Sequence, residues 1–165
     1  MTELEAVIGR EQLKKLDAIV SRRRELVSEL ASRISDLRAI RLGKVIDGAV
    51  SSYWLILVHV DVDRLTVDKE TFARAVAAEG IPVDPHYDHI VADTPWFLDR
   101  ANYGKSQCPW SCPFYGREID YTGRFANARR GIAAHMILRL HEGCTLAEVE
   151  DTAAALTKVE SAYLR

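Results

Sequence analysis

The chain has 165 residues, with 24 acidic and 22 basic side chains and a formal charge of −2. This balance argues against a nucleic-acid-binding protein, which is usually basic. Hydrophobic residues make up 48% of the sequence, and no apolar run approaches the roughly 18 residues that a membrane span needs. Three cysteines cannot form a complete set of disulfides, and the N-terminus is acidic where a signal peptide is basic. We therefore expect a globular, cytoplasmic protein.

Residues 1–34 are predicted to form one long helix, because apolar residues recur at steps of three, four and seven. Thr2 and Glu5 have the spacing of a capping box, and Glu29 precedes Arg33 by one helical turn. At ~1.5 Å per residue such a helix is about 50 Å long, whereas a compact domain of this size is about 40 Å across. We therefore expect the helix to overhang its own domain and to need a partner, either a second copy or a missing domain.

Residues 35–165 are predicted to form a small domain of helices and strands. We assign the chain to the α/β class in the broad sense, and this small domain to the α+β type. Extended segments are expected at 40–46, 53–60, 81–83 and 135–140, and helices at 68–79 and 145–163. This order favours a small, mostly antiparallel sheet with helices on one face. The run 53–60 is nearly continuous in apolar residues, which indicates a strand that is central or buried on both faces.

The segment 85–125 interrupts this pattern of helices and strands. It contains nine of the thirteen aromatic residues and four of the five prolines. A long segment without regular structure is usually functional or disordered, and so many aromatics argue against disorder. We expect an irregular binding loop that packs on itself or on a partner.

The densest polar cluster is His86-Tyr87-Asp88-His89. Imidazole, phenol and carboxylate groups together can donate, accept and transfer protons near neutral pH. The alternative is a surface loop with two solvated histidines. Because the cluster supplies at most three ligands close in sequence, no metal site is predicted.

Two further clusters have simpler explanations. Cys108 and Cys112 are separated by three residues, but there is no second pair of ligands, so they are interpreted as ordinary reduced cysteines. Three consecutive arginines, at positions 22 to 24, are able to bind phosphate individually. They span most of a helical turn and cannot all face one ligand, so a solvated helix face is favoured.

The segment 1–17 (MTELEAVIGREQLKKLD) closely resembles a signature of the DegT/DnrJ group of sugar aminotransferases. Members of that group are pyridoxal-phosphate (PLP) enzymes of fold type I. The likeness continues in the aromatic-led strand at 53–60, in 72–83 (FARAVAAEGIPV), in the His-Tyr turn at 85–87, in the Pro-aromatic pair at 95–97, and in 125–128 and 145–159. It covers essentially the whole chain.

The resemblance implies how the chain is organised. In the family the signature opens the helix that joins a large PLP-binding domain to a small C-terminal domain. Residues 1–34 would be this linking helix and residues 35–165 the C-terminal small domain, with the N-terminal large domain absent. Complete members transfer an amino group to a keto-sugar or nucleotide-sugar in amino-sugar biosynthesis, and they usually form homodimers.

The resemblance also implies what this chain lacks. None of its six lysines lies in the family's context for the lysine that binds PLP, so no catalytic residue is expected here. PLP would be bound in the complete enzyme and not by this chain alone, which leaves open whether the chain is itself an enzyme. Asp88-His89 also replaces the family's proline-containing continuation, which leaves the substrate open.

The implied substrate-binding residues lie in the loop 85–125, which would close over the keto-sugar. His86 and Tyr87 are the main candidates for contacting its hydroxyls or phosphate, and His89, Trp96 and Arg124 are further candidates. One alternative is a non-catalytic sugar-binding module whose aromatic loop holds a carbohydrate. Another is a regulatory protein that docks onto a full-length aminotransferase through its long helix.

Overall fold

The computed structural model describes residues 1–87, 90–106, 108–111, 113–121 and 123–165. The chain divides into two compact units. The sheet unit comprises Met1–His86 and Ala134–Arg165, and the loop unit comprises Tyr87–Ala133. Within the described residues, no helix has the length and apolar character needed to cross a bilayer.

The N-terminal segment is helical but is not one uninterrupted helix. It forms α1 (Glu3–Leu13) and α2 (Leu16–Arg33), separated by Lys14 and Lys15. The Lys15 N–H donates to the carbonyl of Gln12 at 3.0 Å, a bond to the third preceding residue. That turn is tighter than an α-helical turn, and it interrupts the α-helical pattern locally.

Helix α1 has the predicted cap but no buried residue. The Glu5 N–H donates to Thr2 Oγ1 and the Thr2 N–H donates to Glu5 Oε2, which completes the capping box. Large apolar side chains along α1 and at the start of α2 are exposed, as the sequence predicts: Leu4, Val7, Ile8, Leu13 and Leu16. The packing of this end of the unit therefore leaves apolar surface uncovered.

In the described part of the chain four strands form a sheet, and every neighbouring pair is antiparallel, whereas a mostly antiparallel sheet was predicted. They are β1 (Ile40–Leu42), β2 (Ile56–Val60), β3 (Val83–Asp84) and β4 (His135–Leu138), in the order β1-β2-β4-β3. The strands are shorter than the predicted extended segments. β2 lies between β1 and β4, which confirms its predicted central position.

One face of the sheet forms the core with three helices. The register pairs Ile56 with Leu138 and Val58 with Met136, and all four side chains are buried. The same cluster contains buried residues from α2, from α3 (Lys69–Ala78) and from α6 (Leu146–Tyr163): Leu26, Leu30, Phe72, Val76, Val149, Leu156 and Val159. Helices α3 and α6 correspond to the two predicted helices, with Asp68 and Thr145 as N-caps.

The opposite face of the sheet is less covered, so β2 is central without being buried on both faces. Leu57 is 43% exposed, and the rings of His59 and His135 meet edge to face at 5.0 Å. Burial, with a smaller effect from the charge of Arg41, lowers the pKa of His59 and favours its neutral form. Among the described residues, the buried Nδ1 of His59 has no hydrogen-bond partner.

The chain between β3 and β4 is largely irregular, as the sequence predicts. Its described part contains a 3₁₀ turn at Val91–Asp93 and the short helix α4 (Pro95–Leu98). A further helix, α5 (Ala126–Ala134), forms the end of this segment directly before β4 and was not predicted. Its sequence contains one large apolar residue, Ile132, whereas an amphipathic helix is usually recognised by several such residues at helical spacing.

A buried carboxylate joins α6 to the start of β1. Glu160 is 3% exposed, and its two oxygens accept hydrogen bonds from the N–H groups of Arg38 at 2.7 Å and Ala39 at 3.1 Å. A buried backbone N–H without an acceptor is costly. The carboxylate of Glu160 therefore accepts the hydrogen bonds that the N–H groups of Arg38 and Ala39 would otherwise make to water.

Replacing Glu160 with alanine should lower the free energy of unfolding by about 1–3 kcal/mol, because a buried N–H loses its acceptor. The matched control is Glu150→Ala on the same helix. The side chain of Glu150 is 64% exposed and pairs with Arg33 at the surface, so its loss should be below about 1 kcal/mol. Urea denaturation measures both, and equal losses would contradict this assignment.

Candidate functional site

His86 lies in a turn that begins where β3 ends. Its backbone N–H donates to Asp84 Oδ1 at 3.1 Å. The other oxygen of Asp84 accepts from Arg139 Nη2 at 3.3 Å. An aspartate that bonds the backbone two residues ahead stabilises a local turn. Asp84 thus fixes the backbone at His86, and Arg139 anchors Asp84 in turn.

These hydrogen bonds shift the titration of Asp84. The N–H of His86, and to a smaller degree the guanidinium of Arg139, lower the pKa of the Asp84 carboxyl, against the opposing effect of its partial burial. The carboxylate is therefore the favoured form in the folded protein. This keeps the acceptor for the turn ionised at neutral pH.

The imidazole of His86 lies beside α3. Its Nδ1 is 3.9 Å from Glu70 Oε1, and its side chain is 47% exposed. Glu70 also approaches the ammonium of the buried Lys69 at 3.9 Å. The ring of His86 is thus near one carboxylate while much of its surface is free to meet a ligand.

The remaining predicted residues of the polar cluster belong to the loop unit or lie outside the described residues. Tyr87 is exposed and begins the loop unit. Asp88 and His89 lie outside the described residues. The structure therefore does not test the predicted role of His89.

Trp96 belongs to an aromatic cluster in the loop unit. Phe97 is at its centre and meets Trp96 at 5.6 Å, Trp110 at 4.8 Å and Tyr121 at 5.3 Å, each edge to face. Tyr121 also stacks on Phe125 at 5.6 Å. Edge-to-face and offset-stacked pairs are favoured arrangements of aromatic rings. The loop therefore packs on itself, which is one of the two outcomes that its composition predicts.

Arg124 joins the same cluster through a cation–π contact. Its guanidinium carbon lies 5.9 Å from the centre of the Tyr121 ring. The structure thus places Trp96 and Arg124 in one cluster of the loop unit. His86 is placed with Glu70 and Asp84 in the sheet unit.

A pocket of about 370 Å³ lies within the loop unit. Phe97, Trp110 and Tyr121 supply aromatic walls, and Asp93, Arg100 and Arg129 are among the charged residues that line it. Asp93 and Arg129 form a bidentate ion pair at 2.6 and 2.7 Å. The Arg129 hydrogen bonds lower the pKa of Asp93 and raise that of Arg129.

The sequence analysis did not identify the residues that contact His86, nor the ion pair that lines the pocket of the loop unit. Glu70 and Arg139 are distant in sequence from His86, and only the folded sheet unit brings them close. Asp84 carries a local signal, because an aspartate two residues before a turn residue is typical of this kind of turn. The Asp93–Arg129 pair is also long-range and has no comparable signal.

The alternative clusters do not assemble into a site. Arg22 binds Glu25 and the carbonyl of Cys144, and Arg23 binds Glu142 at 2.6 Å, so these two arginines are engaged within the protein. In the described part of the chain, no three His, Cys, Asp or Glu side chains come together as a metal site requires. Cys112 lies outside that part.

Replacing Asp84 with alanine should weaken the turn at His86 in a pH-dependent way. Because its folded pKa is lowered, ionised Asp84 stabilises the fold above the ordinary pKa of about 3.9, and this contribution disappears as pH falls through the folded pKa. The unfolding free energies of wild type and Asp84→Ala should therefore differ at neutral pH and converge in acid.

Urea denaturation across this pH range measures the difference, and amide exchange at His86 should be faster in the variant. Asp36→Ala, which removes an exposed carboxylate elsewhere in the sheet unit, is the control. A difference between wild type and Asp84→Ala that stays constant with pH would contradict the assignment.

A comparison with the sequence profiles of protein families shows the family of this chain. The sequence profile of the DegT/DnrJ/EryC1/StrS aminotransferase family matches residues 1–121. An uncharacterized protein of Methanocaldococcus jannaschii is 23% identical over 120 residues, which are 73% of this chain and 31% of the relative.

Solved structures show the same fold at low identity. PseC, an aminotransferase of Helicobacter pylori involved in the biosynthesis of pseudoaminic acid, matches with a TM-score of 0.73 and 15% identity over 98% of this chain and 38% of its own. DesI, solved in the presence of its TDP-sugar product, matches with a TM-score of 0.68 and 13% identity over 98% of this chain and 38% of its own. The chain thus spans about a third of the length of these relatives.

The matched residues include helices α1 to α4, the strands β1 to β3, and the turn that carries His86. Structures that share the fold have been solved with PLP. On the profile match, the chain belongs to the DegT/DnrJ/EryC1/StrS family of PLP-dependent aminotransferases.

Proposed function

We propose that this chain is the C-terminal small domain, with its linking helix, of an aminotransferase that transfers an amino group to a keto-sugar. The observation that carries the proposal is the family match over residues 1–121 in a chain that spans about a third of its relatives. Residues 1–34 would be the linking helix and residues 35–165 the small domain. Two relatives, one in pseudoaminic acid biosynthesis and one with a TDP-sugar product, support a sugar as the acceptor.

The lysines of this chain do not fit PLP. PLP carries the amino group and serves as an electron sink, and it needs an accessible lysine together with groups that bind its phosphate and ring nitrogen. Lys69 is buried, and its Nζ donates to the carbonyl of His135 at 3.2 Å. Lys158 lines a groove of about 440 Å³, but both oxygens of Glu79 hold its ammonium at 2.7 and 2.8 Å.

The other four lysines offer no better position. Lys14 pairs with Glu11 on the surface of α1. Lys15, Lys44 and Lys105 are exposed and line none of the pockets described above. We therefore propose that PLP binds to residues outside this chain, and that the chain transfers no amino group when it is alone.

The role proposed for this chain is to hold the sugar. His86 is partly exposed on a backbone that Asp84 fixes, so its ring can exchange hydrogen bonds with a hydroxyl or phosphate group. Tyr87 follows it with an exposed phenol. His89, Trp96 and Arg124 would belong to the part of the loop that covers the sugar.

The exposed apolar residues of α1 support a partner for this end of the chain. An apolar helix face in water is unfavourable, and contiguous exposed apolar surface marks interaction sites. We propose that the large domain of the enzyme covers α1, and that the complete enzyme is a cytoplasmic homodimer. A groove along α1 and the start of α2 is lined largely by apolar side chains, among them Leu13, Leu16 and Ile19.

The test separates the two half-reactions of the complete enzyme in single-turnover experiments. His86→Ala and Tyr87→Phe should slow amino transfer to the sugar by about 3- to 100-fold, the value of one lost hydrogen bond, with a smaller effect on the reaction with the amino donor. His141→Ala, a change at another exposed histidine of the sheet unit, is the control and should alter neither rate.

Two results would contradict the proposal. Equal losses in both half-reactions would place His86 and Tyr87 away from the sugar. Amino transfer by the 165-residue chain alone would show that it does not depend on PLP-binding residues elsewhere.

A further inference from the structure

The outer edge of β3 carries backbone groups that no other strand uses in the described part of the chain. β3 is the last strand in the order of the sheet, and it pairs with β4 on one side. The Arg139 N–H donates to the carbonyl of Pro82 at 3.0 Å, and the same register places Val83 opposite Leu138. Hydrogen-bonded and non-hydrogen-bonded pairs alternate along an antiparallel ladder. The N–H and carbonyl of Val83 therefore point away from β4.

This edge is open to a further strand. Val83 is partly exposed, and within the described residues neither its N–H nor its carbonyl has a hydrogen-bond partner. Proline often protects a sheet edge because it has no N–H to offer. Pro82 does not protect this one, since its nitrogen faces β4 together with the carbonyl that Arg139 contacts. An unpaired edge of this kind accepts an extended peptide as an additional strand.

A groove of about 440 Å³ adjoins this edge and lies wholly in the sheet unit. Pro82 and several residues of α6 line it. Its apolar surface includes Ile81, Leu140 and Ala155, each of which is at least nine-tenths buried. Alternate side chains of a strand point to the same face. A strand added beside Val83 would therefore direct some of its side chains toward this groove.

The two cationic side chains that line the groove are already paired. Lys158 donates to the two oxygens of Glu79 at 2.8 and 2.7 Å. Arg139 pairs with Asp84 at 3.3 Å. Each carboxylate offsets the positive charge beside it. These pairs leave the groove without an excess of positive charge that would attract an anion.

Two further carboxylates give the lining a negative charge. The N–H of Thr145, and next its hydroxyl, lower the pKa of the Glu148 carboxyl against a smaller opposing effect of burial, so Glu148 is ionised at neutral pH. Asp151 is exposed, and in the part of the chain that the structure describes it takes part in no hydrogen bond or ion pair. The lining thus contains three carboxylates and two cations. It is complementary to a cation.

We propose that this edge and groove bind an extended segment of another protein that carries a lysine or an arginine. The backbone of the segment exchanges hydrogen bonds with the N–H and carbonyl of Val83. The aliphatic stem of the cationic side chain lies against Ile81 and Leu140, and its charged end approaches Asp151. This binding needs neither a sugar nor PLP, so it goes beyond the function proposed above.

A second copy of this chain is a poorer occupant of the same edge. Pairing β3 with its own copy about a two-fold axis would bring the same surface of both copies together. The negative groove of one copy would then lie near that of the other, and like charges at an interface are unfavourable. The charge of the groove therefore favours a basic partner.

The test titrates the 165-residue chain by calorimetry with three acetylated and amidated hexapeptides, TVTKTV, TVTLTV and TVTETV, and with spermidine. The lysine peptide should bind saturably and about tenfold more tightly than the glutamate peptide, since the charge at one position is reversed. Spermidine has the charge without a peptide backbone, and it should bind about tenfold more weakly than the lysine peptide. Hydrogen exchange at the Val83 amide should slow in the complex with the lysine peptide.

Two methylated forms of the lysine peptide test the backbone hydrogen bonds. One is methylated at the odd-numbered peptide nitrogens and the other at the even-numbered ones, so each loses its N–H donors on one edge only. One form should lose about tenfold or more in affinity, because its methyl groups face β3. The other form, with its methyl groups on the outer edge, should bind like the parent peptide.

Asp151→Asn tests the charge of the groove without disturbing the core, because Asp151 is exposed. It should weaken binding of the lysine peptide about threefold, the value of one exposed ion pair. Glu150→Gln is the matched control. Glu150 is the neighbouring carboxylate on α6, and it pairs with Arg33 and does not line the groove. Its replacement should leave the affinity unchanged.

Four results would overturn the proposal. They are no saturable binding of the lysine peptide, equal affinity for the lysine and glutamate peptides, equal affinity for both methylated forms, and spermidine binding as tight as that of the lysine peptide. Dimerisation that protects the Val83 amide without any peptide would assign the edge to a second copy instead. Because no sugar or PLP is present, these results do not depend on the function proposed above.

Discussion

The antiparallel pairing of β2 with β4 is the contact on which the rest of the structure depends. It joins segments that are far apart in sequence and places Ile56, Val58, Met136 and Leu138 on one buried face. Helices α2, α3 and α6 pack on that face and form a single core. The loop unit is inserted in the chain between β3 and β4, and β3 pairs with the other side of β4.

The edge strand β3 connects this core to the turn that carries His86. It pairs with β4 through only two residues and ends at Asp84, whose carboxylate turns the chain and holds the backbone of His86. Arg139, directly after β4, anchors Asp84 from the neighbouring strand. The position of His86 is therefore set by the sheet rather than by the irregular loop that follows it. Sites built on regular elements are more precise than sites built on loops alone.

The sequence predicts the parts of this structure that depend on local patterns. Both capping boxes, the helices α3 and α6 and the central position of β2 follow from periodicity, cap spacing and apolar runs. The interruption at Lys14 and Lys15 has no glycine or proline to signal it, and α5 contains one large apolar residue, Ile132. The partners of His86 and the Asp93–Arg129 pair depend on contacts between distant residues. Such contacts cannot be predicted from the spacing of residues along the chain.

We propose that this chain supplies the sugar-binding part of a PLP enzyme and not the part that binds PLP. The most direct test is to titrate the purified 165-residue chain with PLP, record the absorbance spectrum, reduce with borohydride and measure the intact mass. We expect no new absorbance band and no stoichiometric mass increase, because Lys69 is buried and the ammonium of the exposed Lys158 is paired with Glu79. One PLP trapped per chain, on a single lysine, would contradict this proposal.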